Sequence, residues 1–413
     1  MTIKLARRMQ EMQASEIREI LKVTQEPDVF SFAGGLPAPE LFPVTELRQA
    51  AMDVLGDEGW RALQYSTTEG FPELRHWIVE RMNRRRGMDV RPVDCSDITV
   101  DEILITSGSQ QGLDLVGKLL LDEGDQVLCE SPTYLGAISA FKVFRPQFVE
   151  VPTDDDGMLT DELERRLVQG RRVKCIYTIP DFQNPSGRAW SLQRRREFME
   201  LAIYYNVSVI EDSPYAELRF DGESLPSLKS LDGENLVIFL GTFSKILCPG
   251  LRLAWLAADP ELVKKCVLIK QGTDLHTSSF TQLQVLALLE RYDLEAALER
   301  IRDVYRERRD LMLQTMDRTF PPSVRYTRPE GGMFLWVELP AGGDARDLLI
   351  RCLAQKIAFV PGGSFFPNGG RENCFRLNFS NLQPERIEEG IERLAGIVTR
   401  YLDETGVALQ QAG

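Results

Sequence analysis

The stretch Gly241-Thr-Phe-Ser-Lys245-Ile-Leu-Cys-Pro-Gly250-Leu-Arg252 decides how the rest of this sequence is interpreted. It follows the apolar run of residues 236–240, which predicts a buried strand. A lysine at the end of such a strand is partly desolvated, and burial lowers a lysine pKa that is otherwise near about 10.4. The neutral amine can then attack a carbonyl group and form a Schiff base.

Three neighbours of Lys245 carry groups that suit a phosphate. Thr242 and Ser244 offer hydroxyls, and Arg252 offers a guanidinium. Together with the amine, these groups suggest a phosphorylated aldehyde as ligand. Considered alone, Lys245 is better explained as a surface loop lysine and Arg252 as a salt-bridge partner, so the rest of the chain has to decide.

Short apolar runs alternate with helical patterns over residues 45–300. This alternation predicts an α/β domain built on a mostly parallel sheet. The strands are expected at residues 103–106, 126–130, 173–178, 207–211, 236–240 and 253–257, with helices including residues 113–121, 160–168 and 192–204.

A second, smaller unit follows. Residues 294–316 predict one long charged helix, and strands at 332–338, 358–360 and 374–379 with helices at 345–355 and 384–401 predict an α+β domain. We therefore expect three parts: an N-terminal helix and loop (1–44) that belongs to the small domain, a large ligand-binding domain (45–300), and the small domain (301–413).

The composition favours an ordinary two-domain cytoplasmic protein. A length of 413 residues exceeds what one core usually supports, and the net charge of −13 opposes binding to nucleic acid. The seven cysteines are scattered without metal-type spacing, and neither a signal peptide nor a membrane span is expected. With only His76 and His276, no metal site is predicted.

Polar residues follow the predicted strands repeatedly, and ligands bind at the carboxyl ends of parallel strands. Gly108, Ser109 and Gln110 open a helix whose free N–H groups could seat a phosphate, although an ordinary capped turn explains them equally well. Tyr134 could stack on a flat ring, or simply pack in the core.

Two further strands supply an amide and a carboxylate. Asn184 precedes a proline, so it is held out of helical conformation and could reach a ligand hydroxyl, or it only makes a turn. Asp212, followed by Tyr215, could keep a ring nitrogen protonated, or it caps a helix.

These groups share one edge of the predicted sheet and complement each other. The ligand that would use all of them is pyridoxal 5'-phosphate, whose protonated ring acts as an electron sink. When an amino acid displaces Lys245, several charge-assisted hydrogen bonds must retain the cofactor, and the freed amine can move the substrate Cα proton.

Along nearly its whole length the chain resembles the fold-type I, class I and II aminotransferases. It is most similar to the 2-aminoadipate aminotransferases of bacterial lysine biosynthesis and to the kynurenine/aminoadipate aminotransferases. The motifs that carry this resemblance are SFAGGLPAPELFP, LQYSTTEG, TSGSQQGLDL, SPTY, FQNPSG, EDSPY, GTFSKILCPGLR and CFRLNFS.

The resemblance implies a homodimer with an aspartate aminotransferase-like fold and a seven-stranded-type sheet. It implies that Tyr65 reaches the partner's cofactor phosphate and that Asn184 and Tyr215 contact the ring oxygen. Arg376 is similar to the arginine that binds the substrate α-carboxylate. Gly35 belongs to a loop that closes over the substrate, which Asn184 also contacts.

The N-terminal region carries the specificity hypothesis. Ser15 and Arg18 lie three apart on a predicted helix that in the aminoadipate enzymes meets the distal carboxylate of the substrate. The alternative is a surface helix arginine. The implied activity is amino transfer to a 2-oxo acid such as 2-oxoglutarate; a β-lyase, a decarboxylase, or a pyridoxal-phosphate-binding regulator core without its DNA-binding domain are the alternatives.

Overall fold

The computed structural model describes residues 28–85 and 97–407, together with residues 3, 4, 6 and 9. The predicted N-terminal helix with Ser15 and Arg18 lies outside these residues, so the fold neither supports nor opposes it.

The strands are short, and most of them belong to one large sheet. In chain order they are β1 (Phe30–Ser31), β2 (Ile103–Thr106), β3 (Gln126–Ser131), β4 (Gln147–Asp154), β5 (Gly157–Met158), β6 (Val173–Thr178), β7 (Ser208–Asp212), β8 (Val237–Thr242), β9 (Ala254–Ala257), β10 (Arg325–Tyr326), β11 (Phe334–Glu338), β12 (Ile357–Ala358), β13 (Val360–Pro361) and β14 (Cys374–Asn378).

The α-helices of the described residues are Val44–Asp57, Gly59–Ala62, Pro72–Arg85, Ser109–Leu120, Leu135–Lys142, Thr160–Gln169, Leu192–Tyr204, Leu228–Leu231, Pro260–Gln271, Ser279–Leu289, Leu294–Thr319, Ala345–Leu353 and Pro384–Thr405. Several begin at a side-chain cap that binds a free backbone N–H, as Ser191, Asp259, Ser278, Asp293 and Asp344 do.

The large sheet has the order β2-β9-β8-β7-β6-β3-β4-β5 within the described residues. The central pairs from β4 to β8 are parallel, whereas β9 is antiparallel to both of its neighbours. Strands such as β8 are buried along their whole length, which is why they occur in the sequence as continuous apolar runs. The predicted α/β class is confirmed.

Two strands of this sheet were not predicted from the sequence. In β4, Glu150 and Pro152 interrupt the apolar residues, so the strand lacks the continuous apolar signature. The two-residue strand β5 pairs with the end of β4 and adds an eighth strand to the predicted seven-stranded-type sheet.

The C-terminal part contains a smaller sheet in the order β10-β11-β14-β13. The helix Leu294–Thr319 leads into it, starting where the sequence predicts and continuing three residues further. Strand β1 pairs in parallel with β12, so the chain near Phe30 lies against the C-terminal part. The division into parts at residues 44 and 300 stays a prediction.

Among the described helices, none combines the length and the apolar character that crossing a bilayer requires.

Candidate active site

One edge of the large sheet collects the carboxyl ends of its parallel strands. Strands β3, β4, β6, β7 and β8 are parallel, and β2 runs in the same direction because both β2 and β8 are antiparallel to β9. The carboxyl ends of these six strands therefore meet the amino end of β9. Thr106 and Thr242 both lie opposite Ala254, which brings the turns after β2 and β8 next to Arg252.

Lys245 lies in the turn after β8, with its amine held in the site. Its Nζ donates a hydrogen bond to the carbonyl oxygen of Gly35 at 3.0 Å. Burial, together with the positive charges of Arg376 and Arg252, lowers the pKa of Lys245 to about 8. With such a pKa, about a tenth of the amine is in the neutral, nucleophilic form at pH 7.

The turn after β2 forms a cradle with Arg252. Gly108 has a φ of 82°, and a Cβ there would lie 2.2 Å from Nη2 of Arg252, so the guanidinium packs directly on the glycine. The hydroxyl of Ser109 is buried and has no hydrogen-bond partner among the described residues. On the other side, the hydroxyls of Thr242 and Ser244 lie 2.9 Å apart.

Gln110 and Tyr134 form the neighbouring wall. The Gln110 amide donates to the carbonyl oxygen of Gly136 at 3.0 Å, so this side chain links two turns and does not face the cradle. The Tyr134 ring lies over Gly136, where a Cβ would come within 2.5 Å. Burial raises the pKa of Tyr134, as does the nearby Asp212, while Arg376 opposes the shift.

Asp212 ends β7 with one carboxylate oxygen satisfied and the other free. Tyr177 donates its hydroxyl hydrogen to Oδ2 at 2.9 Å. Oδ1 is buried and has no partner among the described residues. Burial raises the pKa of Asp212 to about 7, and the hydrogen bond from Tyr177 opposes that shift.

Asn184 and Tyr215 approach each other from different loops. The amide nitrogen of Asn184 lies 3.5 Å from the Tyr215 hydroxyl. Burial raises the pKa of Tyr215, which keeps its hydroxyl protonated. Its ring packs edge-on against Phe334 at 5.8 Å.

Arg376 in β14 points from the small sheet into the same site. It donates to Oδ1 of Asn184 at 2.7 Å and to the carbonyl oxygen of Ala33 at 2.6 Å. Its guanidinium stacks on the rings of Phe334 and Phe365. Burial lowers the pKa of Arg376 to about 10, and its Nε has no partner among the described residues. The group is thus a buried cation that has no carboxylate among its hydrogen-bond partners in the described part of the chain.

Tyr65 lies apart from this group. Its side chain is 79% exposed, and its ring contacts His276 edge-on at 5.9 Å. Ser15 and Arg18 lie outside the described residues. Among the described residues proposed from the sequence, Tyr65 is the one that lies apart from the sheet edge.

Tyr177 was not predicted as a site residue, because the predicted site residues are those that follow the ends of strands. Tyr177 lies inside β6, one residue before its end, in the strand that pairs with β7. The pairing of adjacent parallel strands was the only available signal, since a tyrosine within an apolar strand is otherwise a packing residue.

A hydrogen-bond network around the turn that precedes Gly108 was also not predicted from the sequence. Lys270 is fully buried and donates to Asp274 and to Oε1 of Gln111, each at 2.8 Å. Gln111 Oε1 also accepts the backbone N–H of Ser107. This network fixes the turn that leads into Gly108.

Glu130 fixes the loop that carries Asn184. One carboxylate oxygen accepts the backbone N–H of Ile179 at 2.9 Å, and the other accepts the indole N–H of Trp190 at 3.0 Å. Asn184 lies between these two anchors along the chain, so its loop is held at both ends.

The unsatisfied atoms of the site match the chemistry of pyridoxal 5'-phosphate. Oδ1 of Asp212 requires a donor such as a protonated ring nitrogen, and the Ser109 hydroxyl together with Arg252 suits a phosphate. Lys245 supplies an amine for the aldehyde. The residues present therefore fit this cofactor.

Comparison with known proteins agrees with this interpretation. The family model "Aminotransferase class I and II" matches residues 28–394. A 2-aminoadipate transaminase of Thermus thermophilus is 48% identical, over 93% of this chain and 93% of the relative. Aromatic-amino-acid aminotransferase 1 of Thermococcus litoralis is 45% identical, over 93% and 91%.

A solved structure is similar over almost the whole chain. It is an α-aminoadipate aminotransferase from Thermus thermophilus complexed with N-(5'-phosphopyridoxyl)-L-leucine. The two chains are 46% identical with a TM-score of 0.88, and the match covers 97% of this chain and 98% of the other.

The fold and the site thus define a pyridoxal-phosphate-dependent transaminase. The chain belongs to the class I and II aminotransferases. The cofactor, the fold and the reaction class predicted from the sequence are confirmed. When bound, pyridoxal 5'-phosphate supplies an electron sink for the substrate Cα.

Proposed function

We propose that the enzyme transfers the amino group of 2-aminoadipate or glutamate to a 2-oxo acid such as 2-oxoglutarate, and also accepts leucine or aromatic amino acids. The names of the relatives at 45% and 48% identity support aromatic amino acids and 2-aminoadipate as substrates, and the phosphopyridoxyl-leucine complex of the similar solved structure supports leucine. The observation that carries the proposal is the half-buried Lys245, whose amine has a pKa of about 8, in one site with the buried guanidinium of Arg376.

Lys245 and Arg376 would have different roles toward the substrate. Arg376 binds the α-carboxylate, for which its planar guanidinium offers two parallel hydrogen bonds. This fixes the Cα–H bond relative to Lys245. Nζ of Lys245 then takes the Cα proton as general base and delivers it as general acid.

The remaining residues would hold the cofactor while Lys245 transfers the Cα proton. Gly108, Ser109 and Gln110 offer backbone N–H groups at the helix start, and Thr242, Ser244 and Arg252 offer side-chain donors. Tyr134 stacks on the ring, and Asp212, Asn184 and Tyr215 bind its polar atoms. Several such contacts are needed because covalent attachment is lost in each cycle.

Half-reactions followed by absorbance test this function. The purified holoenzyme should be yellow, 2-aminoadipate or glutamate should bleach it, and 2-oxoglutarate should restore the colour. The amino acid should yield its 2-oxo acid in equal amount. Loss of carbon dioxide, or of the substituent on Cβ, would indicate a decarboxylase or a β-lyase instead. No colour change with any amino acid would refute amino transfer.

We also propose that Arg18 and Ser15 select acidic side chains. Arg18→Ala should raise KM for 2-aminoadipate and glutamate by about tenfold or more, because a charge-assisted hydrogen bond of about 1.5–3 kcal/mol is lost. KM for leucine should stay within about twofold, since leucine offers no distal carboxylate. Steady-state kinetics with the three substrates measures this. Equal effects on all three would leave Arg18 as a surface residue.

We further propose a homodimer in which Tyr65 reaches the partner's phosphate site. The support is a run of large apolar side chains that a single chain leaves in water, which marks an interface. These are Val44 (67% exposed), Met52 (63%), Trp60 (79%), Leu63 (76%) and Tyr65 (79%).

Trp60→Asp should therefore dissociate the dimer. A charge placed at the centre of an apolar interface loses its hydration without gaining a partner. Light scattering should report two chains for the wild type and one for the variant, with activity lost as well. Tyr204→Asp is the matched control, because Tyr204 is 78% exposed but lies outside this segment. A two-chain mass for the Trp60 variant would contradict this interface.

We place the enzyme in the cytoplasm and, given its proposed substrate, in lysine biosynthesis. Every described cysteine is a free thiol, including buried Cys129 and Cys175. Reduced thiols are typical of that compartment.

A further inference from the structure

The hydroxyl of Tyr177 makes the one hydrogen bond to Asp212 found among the described side chains. Its oxygen lies 2.9 Å from Oδ2, in a region where both residues are buried. The Tyr177 ring is fixed by an edge-on contact with Phe141 at 5.9 Å. The direction of the hydroxyl is thus set by packing and not by solvent.

The hydrogen bond from Tyr177 counteracts an effect of burial on the charge of Asp212. A buried carboxyl group tends to become neutral, and a neutral acid does not favour a protonated ring nitrogen. A hydrogen bond donated to the carboxylate favours its ionised form. Burial keeps the pKa of the Tyr177 hydroxyl well above its usual value, so Tyr177 remains a donor and never competes for the proton.

The other titratable groups near Asp212 cannot replace this donor. Tyr134 and Tyr215 both interact with Asp212 electrostatically, but neither donates a hydrogen bond to it. Glu130 adds a further carboxylate near Tyr177. A proton on the ring nitrogen would give Oδ1 its missing partner, while Tyr177 satisfies Oδ2.

We propose that Tyr177 is a positioning residue: it orients Asp212 and keeps it ionised, so that Oδ1 faces and stabilises a protonated cofactor ring nitrogen. This inference rests on the proposed role of Asp212. In this proposal Tyr177, which lies in the strand next to Asp212, determines what fraction of the ring nitrogen is protonated. Tyr177 does so through Asp212, without contacting the reacting atoms.

Cofactor affinity tests the inference without reference to turnover. Apoenzyme is titrated with pyridoxal 5'-phosphate for the wild type, Tyr177→Phe, Asp212→Asn and the double variant. Tyr177→Phe should raise the dissociation constant about tenfold when Asp212 is present, because a hydrogen bond to a charged group is lost. In the Asp212→Asn background the same change should have less than about a twofold effect.

A spectroscopic signature separates this role from simple packing. With cofactor labelled with ¹⁵N in the ring, the nitrogen chemical shift should show a smaller protonated fraction in Tyr177→Phe than in the wild type at the same pH. Tyr401→Phe is the matched control, since it removes a buried hydroxyl that accepts a backbone N–H far from the site. It should leave both readouts unchanged.

Two results would overturn the inference. The first is that Tyr177→Phe raises the dissociation constant of the cofactor by the same factor with Asp212 as with Asn at that position. The second is an unchanged ¹⁵N chemical shift in Tyr177→Phe. Neither result depends on amino transfer. Failure of the absorbance half-reactions would refute the proposed function and leave the role of Tyr177 intact, so the two failures are distinguishable.

Discussion

Replacing Lys245 with alanine is expected to abolish amino transfer while leaving the fold and much of the phosphate binding intact. In the proposed mechanism the amine supplies both the covalent attachment and the proton shuttle, and general acid–base catalysis alone contributes about 10²–10⁴-fold. The contacts of Ser109, Thr242 and Arg252 do not involve Nζ. We expect kcat to fall by at least that factor, measured with 2-aminoadipate and 2-oxoglutarate, and the variant to bind cofactor more weakly but detectably.

Lys264→Ala is the control for this experiment. Lys264 pairs with Glu261 on an exposed helix surface, so its loss should leave kcat within about twofold. A Lys245→Ala enzyme that keeps more than about a tenth of wild-type kcat would show that another base moves the proton.

Asp212→Asn should produce the second large loss. The amide is isosteric but uncharged, so in the proposed site the protonated ring nitrogen would lose its anionic partner. Removing one member of a buried charged pair costs about 3–5 kcal/mol, which corresponds to a loss of about 150-fold to 5,000-fold in rate. We expect this loss in kcat/KM for every amino acid substrate, because the ring nitrogen serves all of them.

Asp125→Asn provides the comparison. Asp125 is also fully buried, but it pairs with Arg172 away from the site. Its replacement should affect stability and leave kcat/KM near the wild-type value. If the two variants lost activity equally, the loss would reflect folding and not the cofactor.

The sequence predicted the parts of the fold that carry a strong local signature. Short apolar runs identified β2, β6 and β8, and a long charged stretch identified the helix Leu294–Thr319. It missed β4 because this strand near a sheet edge has no continuous apolar run: Glu150 and Pro152 interrupt its apolar residues.

The sequence indicated candidate site residues where a reactive or polar side chain lies at or after the end of a strand. Lys245, Asp212 and Asn184 occupy such positions, and the parallel sheet brings them together. Residues that act through another residue were not predictable, because Tyr177 and Lys270 look like core positions until the three-dimensional contacts are known. The side chain of Gln110 shows the same limit, since nothing in its turn indicates the bond to Gly136.

The central claim is that Lys245 holds the cofactor. Borohydride reduction of the yellow holoenzyme, followed by digestion and mass spectrometry, tests it most directly, since reduction makes the attachment permanent. We predict the phosphopyridoxyl group on the peptide that contains Lys245. Its presence on another lysine, such as the buried Lys270, or its absence from every peptide would contradict the account.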